Sequence, residues 1–196
     1  VGTPSLPQWS KGEVMLKRSV GSLLDQVMLS ALNFGIAFAL IQGISKPDYG
    51  LYVQLAMYAL LATSVTDALL GNAFNILNNR TTGDRPPHLL SDIYRISLLI
   101  TSVATAVGFL LSVWLSRDWS AWSDRLALAL VYASYLFVSL NREFKRVCLY
   151  LTDRWQKALV MDLTYALCSA LMLGCLLWSQ WLNVTYVFIA LGASSA

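Results

Sequence analysis

Apolar and polar positions along this chain fall into long blocks rather than short alternations. Five apolar stretches, about Ser22–Ile44, Leu51–Leu77, Ile93–Leu115, Trp122–Leu140 and Ala158–Gln180, are separated by short charged connections, and a sixth opens at Val184. Each of the five is long enough to cross a hydrocarbon core of about 30 Å at a helical rise of about 1.5 Å per residue. The fourth is marginal, because Asp124 and Arg125 must sit at its outer edge. None alternates with period two, as a membrane β-barrel strand does. The pattern predicts an all-α fold, a polytopic transmembrane helix bundle. The sixth stretch stops after about half of the roughly 20 residues that a span needs, so the sequence reads as an N-terminal bundle truncated in its sixth helix. Residues 1–21 are polar, with no signal-peptide cleavage site after the first apolar run, and are expected as a cytoplasmic segment. Gln8–Val20 is mildly amphipathic and suits the inner membrane surface. Residues 22–196 form the predicted transmembrane bundle.

Composition strengthens this reading. Hydrophobic residues make up 57% of the 196 positions and charged residues 13%, against about 25% charged in a soluble domain. The net charge of +3 is modest, and no basic run resembles a nucleic-acid-binding arm, so no nucleic-acid partner is expected. The placement of charge is more informative than its amount. Eleven of the 14 basic residues fall on one predicted side, in the N-terminal segment, between the second and third stretches, and between the fourth and fifth. Only Lys46, Arg117 and Arg125 fall on the other. The positive-inside rule puts the richer side, with the N-terminus, in the cytoplasm. The tryptophans agree: Trp114, Trp119, Trp122, Trp178 and Trp181 fall at the predicted outer boundary, and Trp9 and Trp155 near the inner one, where indole prefers to lie. Lys46–Gly50 is expected as a tight outer turn containing Pro47, and Thr81–Pro87 as a non-helical cytoplasmic loop.

Polar residues inside apolar spans are the candidates for function, because lipid makes them costly. Gln26, Ser30 and Asn33 share one face of the first stretch, flanked by Asp25. Asp67, Gly71 and Asn75 recur at helical spacing in the second, extended by Ser64 and Asn78. Tyr132, Tyr135, Ser139 and Arg142 form a ridge on the fourth, and Asp162 and Tyr165 lie near the cytoplasmic end of the fifth. Facing a water-filled cavity, the amides and hydroxyls suit sugars, Arg142 or Arg146 suits a phosphate, and Asp67 suits exchange of a proton or cation. The bland alternative is interhelical hydrogen bonding, worth about 0.6 kcal/mol each. For Asp25 and Asp162, close to the interface, snorkelling or a basic partner suffices. The basic cluster from Arg142 to Arg154 serves orientation, attraction of a lipid pyrophosphate, or both.

The three cysteines are an odd number, and Cys168 and Cys175 share a helix face. They read as reduced, small apolar core residues. His88 has no ligand partner at a useful spacing, so no metal site is expected. No Gly-rich phosphate loop and no Ser/His/Asp or Cys/His set can be drawn, so no catalytic residue and no cofactor are predicted. The outer connections are short, which disfavours a membrane-embedded glycan polymerase or ligase.

Two stretches carry a resemblance. Leu24-Asp25-Gln26 through Asn33-Phe34-Gly35, followed by Ile44-Ser45-Lys46-Pro47-Asp48-Tyr49-Gly50-Leu51-Tyr52, resembles the opening of the polysaccharide-transporter and oligosaccharide-flippase family. Asn141-Arg142-Glu143-Phe144-Lys145-Arg146-Val147-Cys148-Leu149-Tyr150, with Asp153-Arg154 and Ala158–Leu163, resembles the segment between that family's fourth and fifth helices. Lys145 stands where the family tends to have Arg, which weakens any bidentate phosphate contact there. The family belongs to the superfamily of multidrug, oligosaccharidyl-lipid and polysaccharide exporters, whose members have two helix bundles and both termini cytoplasmic. The resemblance implies a non-enzymatic flippase of the bacterial inner membrane. It would carry an undecaprenyl-pyrophosphate-linked oligosaccharide outwards by alternating access, for surface polysaccharide synthesis. The implied partners are the lipid-linked oligosaccharide, membrane lipids and other membrane proteins of polysaccharide assembly. A cation-coupled multidrug antiporter of the same superfamily is the nearest rival, and it predicts an apolar, aromatic cavity with a deep acidic site.

Overall fold

Long uninterrupted runs of Leu, Ala, Val and Met favour helix wherever no proline intervenes, and the computed structural model follows them closely. It describes residues 11–71, 89–118, 121–151 and 154–196. The described elements are α1 (Lys11–Gly43), α2 (Lys46–Thr66) continued by a π-helical segment (Asp67–Gly71), α3 (Leu89–Leu115), α4 (Trp122–Leu151), α5 (Trp155–Trp178) and α6 (Val184–Ser195). Among the described residues there is no strand.

Local chemistry sets the boundaries. Ser45 caps α2: its hydroxyl accepts from the Asp48 N–H at 3.3 Å and donates to the Asp48 carboxylate at 2.7 Å. Pro47 then occupies the first helical turn, where its missing N–H is harmless. The expected turn over Lys46–Gly50 is therefore the start of a helix, and the connection shrinks to Ile44 and Ser45. At the end of α5, Gln180 takes φ 57° and Trp181 N–H donates back to the Leu176 carbonyl, a left-handed helix stop. Asn183 caps α6.

Two helices outrun their predicted spans. α1 runs without a break from Lys11, so the described part of the amphipathic segment is continuous with the first stretch. α4 continues to Leu151 rather than stopping near Leu140, because nothing between them breaks a helix. Four helices, α1, α3, α4 and α5, are long and apolar enough to cross a membrane. That is one short of the five predicted. α2 falls out because Tyr49, Tyr52, Gln54, Tyr58, Thr63 and Ser64 dilute its apolar run; the part of that stretch beyond Gly71, like the 81–87 loop and His88, lies outside the described residues. No more than 28% of any of the four spanning segments is buried within the bundle. Phe34, Leu99, Leu110 and Leu171 point outwards, a surface suited to lipid rather than water.

Successive helices alternate in direction. Gly21 at the start of α1 packs on Trp155 at the start of α5, and Gly43 at the end of α1 packs on Leu182 just beyond α5. Tyr94 near the start of α3 meets Phe144 near the end of α4. α4 is the central helix, packing most extensively against α3 and α6, while α1 lies along α5. The core joins Ile36 and Leu40 of α1, Leu55 of α2, Leu128 and Leu136 of α4 and Phe188 of α6. The cysteines depart from expectation: Cys168 and Cys175 are free but exposed on the outer face of α5, not in the core. An apolar face on a spanning helix meets lipid as readily as protein, so apolarity alone does not place it.

Candidate functional site

The extra turns of α4 carry the charge. Arg142 and Glu143 are buried, at 8% and 6% exposure, one turn or so beyond the apolar core. Arg142 Nη2 donates to Glu143 Oε1 at 2.8 Å, and Arg146, one turn on, lies 2.7 Å from Glu143 Oε2. Glu143 thus bridges two guanidinium groups. Asp162 of α5 is fully buried and lies 3.7 Å from Arg146 Nη1. Asp67, at the junction of α2 with its π-helical segment, is near enough for the charges of Glu143 and Arg146 to act on it. The Arg142 guanidinium lies 3.6 Å from the centre of the Tyr165 ring, a stacking that suits its flat, weakly hydrated cation. Two arginines and three carboxylates from three helices therefore meet at one end of the bundle. Buried charges persist only when paired in this way.

Above this cluster opens a cavity of about 470 Å³, lined by α1, α2, α4 and single residues of α5 and α6, within the range of small-molecule sites. Its polar wall comprises Asn33, Tyr49, Tyr52, Tyr135 and Ser139, and its charged floor comprises Arg142, Glu143 and Arg146. Tyr135 stacks against Phe188 with ring centres 5.3 Å apart. The remaining wall is aliphatic.

The sequence candidates separate on this geometry. Asn33, Tyr135, Arg142 and Arg146 come together around the cavity. Asp67 joins the charge cluster electrostatically but not the lining. Gln26 and Ser30 are exposed on α1, two turns and one turn from Asn33, outside the lining. Tyr132 is a core residue: it is fully buried, its hydroxyl donates to the Leu55 carbonyl at 2.6 Å, and its ring meets Phe188 edge-on. A buried Tyr with its hydroxyl satisfied has no group left for a ligand. Asn75 lies outside the described residues. Glu143 and Tyr52 were not singled out from sequence. The signal for Glu143 was its spacing from Arg146, one helical turn, on a segment that then read as a connection. Asp162, for which a basic partner was expected to suffice, has Arg146. No family model, no curated protein and no solved structure matches this chain.

Proposed function

We propose that the chain is the cavity-forming helix bundle of a membrane transporter that moves a lipid-linked oligosaccharide across the bacterial inner membrane. The observation that carries this reading is a polar cavity, with a paired-charge floor, enclosed by helices whose outer surfaces are apolar. Lipid-facing surface outside and hydrogen-bonding groups inside are what passage of a hydrophilic group through a bilayer requires. In this reading Asn33, Ser139 and the tyrosines meet hydroxyl-rich sugar rings, whose faces stack on aromatic rings. Gln26 and Ser30 extend the polar surface along α1. Arg142 and Arg146 offer charge-assisted bonds to a carrier phosphate, and Asp67 is the group assigned to ion coupling. α2 completes a fifth crossing once its polar side faces the cavity rather than lipid. The basic, charge-clustered end is the cytoplasmic one.

The tyrosine-rich wall and the buried carboxylates also favour a second reading, a cation-coupled exporter of aromatic or cationic compounds. One experiment separates the two. Cells lacking the gene are extracted for lipids, and carrier-linked glycans are identified by mass spectrometry. Accumulation of a complete lipid-linked oligosaccharide with loss of surface polymer is the expected result. An unchanged lipid pool overturns the flippase reading and leaves the exporter, which drug-susceptibility and efflux measurements then test.

A further inference from the structure

A second cavity lies on the far side of Arg142. It has a volume of about 540 Å³ and is bounded by the start of α3, the end of α4, the first half of α5 and the last residues of α6. Its electrostatics differ from those of the first. The first cavity contains Glu143 beside its arginines. The second contains Arg142 and Lys145 and, among the described residues, no carboxylate side chain. The negative partners of the arginines therefore sit on one side, and uncompensated positive charge faces the other.

Arg142 itself carries the argument. It is more than nine-tenths buried, and only Nη2 is bonded, to Glu143. Nε and Nη1 are buried with no hydrogen-bond partner among the described residues. A guanidinium that leaves two donor nitrogens unmet out of water is destabilising, and more so for a charged group than a neutral one. The hydroxyls around the cavity do not relieve this. Thr164 donates to the Val160 carbonyl and Ser195 to the Leu191 carbonyl, and the Asn141 amide donates to Phe137. Lys145 stands exposed at the mouth. What the cavity lacks is an acceptor bearing negative charge and more than one oxygen. A phosphate ester has both: its terminal oxygens reach a guanidinium and an ammonium together, where a carboxylate brings a single charge.

We propose that this second cavity, between α3, α4, α5 and α6, binds a phosphate ester through Arg142 and Lys145, separately from the central cavity. The ester is either the headgroup of an anionic membrane lipid or a soluble phosphate compound. The site stands independently of the transport reading. A trapped lipid-linked glycan tests transport in cells, whereas phosphate binding is read on the purified full chain, so either can fail alone.

The test is thermal unfolding of the detergent-solubilised chain at constant ionic strength. Three additions are compared: dioctanoyl phosphatidic acid, dioctanoylglycerol as its phosphate-free counterpart, and inorganic phosphate. Saturable stabilisation by phosphatidic acid but not by dioctanoylglycerol assigns a lipid headgroup; stabilisation by inorganic phosphate to the same extent assigns a soluble ester. Arg142→Gln is expected to weaken half-saturation by about tenfold or more, and Lys145→Gln by about threefold, as loss of one charged contact each. Lys145 is exposed, so its variant folds even if Arg142→Gln does not, and Arg142→Lys supplies a charge-retaining comparison. Arg117→Gln, which removes an exposed charge at the other end of the bundle, leaves half-saturation unchanged. Absence of stabilisation by either phosphate probe overturns the site. So does stabilisation that survives Lys145→Gln and Arg142→Lys undiminished.

Discussion

α4 packs two very different partners on its two sides. Towards α3 it meets a face of small and hydroxyl-bearing residues: Ser97, Thr101, Ser112 and Ser116 are all fully buried, with Gly108 between them. Towards α2 and α5 it presents Arg142, Glu143 and Arg146 to Asp67 and Asp162. The first contact is the most extensive in the bundle, the second far thinner. Without a hydrophobic effect between helices in lipid, close backbone approach and dispersion hold the first. Charge pairing holds the second, and a charged contact keeps its strength only while every partner is present. The seam with α3 is built to stay closed, whereas the face towards α2 and α5 borders both cavities and contains the groups that a ligand or proton would disturb.

The largest expected effect is on the charged side. Glu143→Gln removes the carboxylate that bridges Arg142 and Arg146 and leaves two buried cations competing for Asp162 and Asp67. Breaking a buried pair from one side costs about 3–5 kcal/mol. Unfolding of the purified chain in mixed micelles by dodecyl sulfate is expected to show a loss near the lower end, about 3 kcal/mol, because Asp162 remains beside Arg146. A loss below about 1 kcal/mol would show that the two aspartates suffice, and the contrast between the two faces of α4 would collapse.

A pair of glycines sharpens the comparison on the other side. A Cβ at Gly108 would strike the Leu136 side chain and lie 3.0 Å from the Tyr58 ring and 3.4 Å from the Tyr132 ring, whereas one at Gly174 on α5 meets nothing within 4 Å. Gly→Ala favours a helix by about 1 kcal/mol when the new methyl has room. Gly174→Ala is therefore expected to stabilise. Gly108→Ala is expected to destabilise by about 1–2 kcal/mol, the overpacking penalty exceeding the gain in propensity. Equal signs for the two in the same unfolding measurement would mean that the α3–α4 seam is not tightly packed.

Tyr132→Phe comes next. Its hydroxyl reaches across from α4 to the Leu55 carbonyl, a bond that ties α2 to the central helix, and its removal is expected to cost about 1 kcal/mol. Tyr135, three residues on, has its ring in the cavity wall, so Tyr135→Phe is expected to leave stability nearly unchanged while weakening any ligand that uses the hydroxyl. The same unfolding measurement separates the two tyrosines.

These residues also mark what was legible in the sequence. Apolar blocks and their charged separators gave the helices and their alternation, because lipid leaves no other way to satisfy a spanning backbone. Ends were harder. Pro47 reads as a turn until Ser45 is seen to cap the helix that it begins, and the basic run after Leu140 reads as a connection because charge was taken as the end of a span. The helix simply continues, and that continuation brings Glu143 and Arg146 together with Asp162. Facing was the least legible. Tyr132 and Tyr135 sat on one predicted ridge, yet one is core and the other cavity. Cys168 and Cys175 looked like core and face outwards. In a soluble helix polarity marks the outside, whereas here both sides are apolar and only tertiary contacts decide.

The smallest effect tests why the α3 face has the residues that it does. Ser112 and Ser116 donate to the Phe109 and Ser112 carbonyls of their own helix. The hydroxyls of Ser97, Thr101 and Thr105 are buried with no hydrogen-bond partner among the described residues. If the stripe is selected for size, its hydroxyls contribute little, and an apolar group of the same shape in place of an unmet donor is neutral or mildly stabilising. Thr101→Val keeps the branch and the volume while removing the hydroxyl. Its expected effect is between zero and about 0.5 kcal/mol of stabilisation, within the usual range of a change that breaks no contact. Thr101→Leu, which adds volume instead, should cost about 1–2 kcal/mol at the same site. A large loss for Thr101→Val would reverse the argument: the stripe would then hold α3 to α4 by polar contacts, and both faces of α4 would be held by the same kind of force.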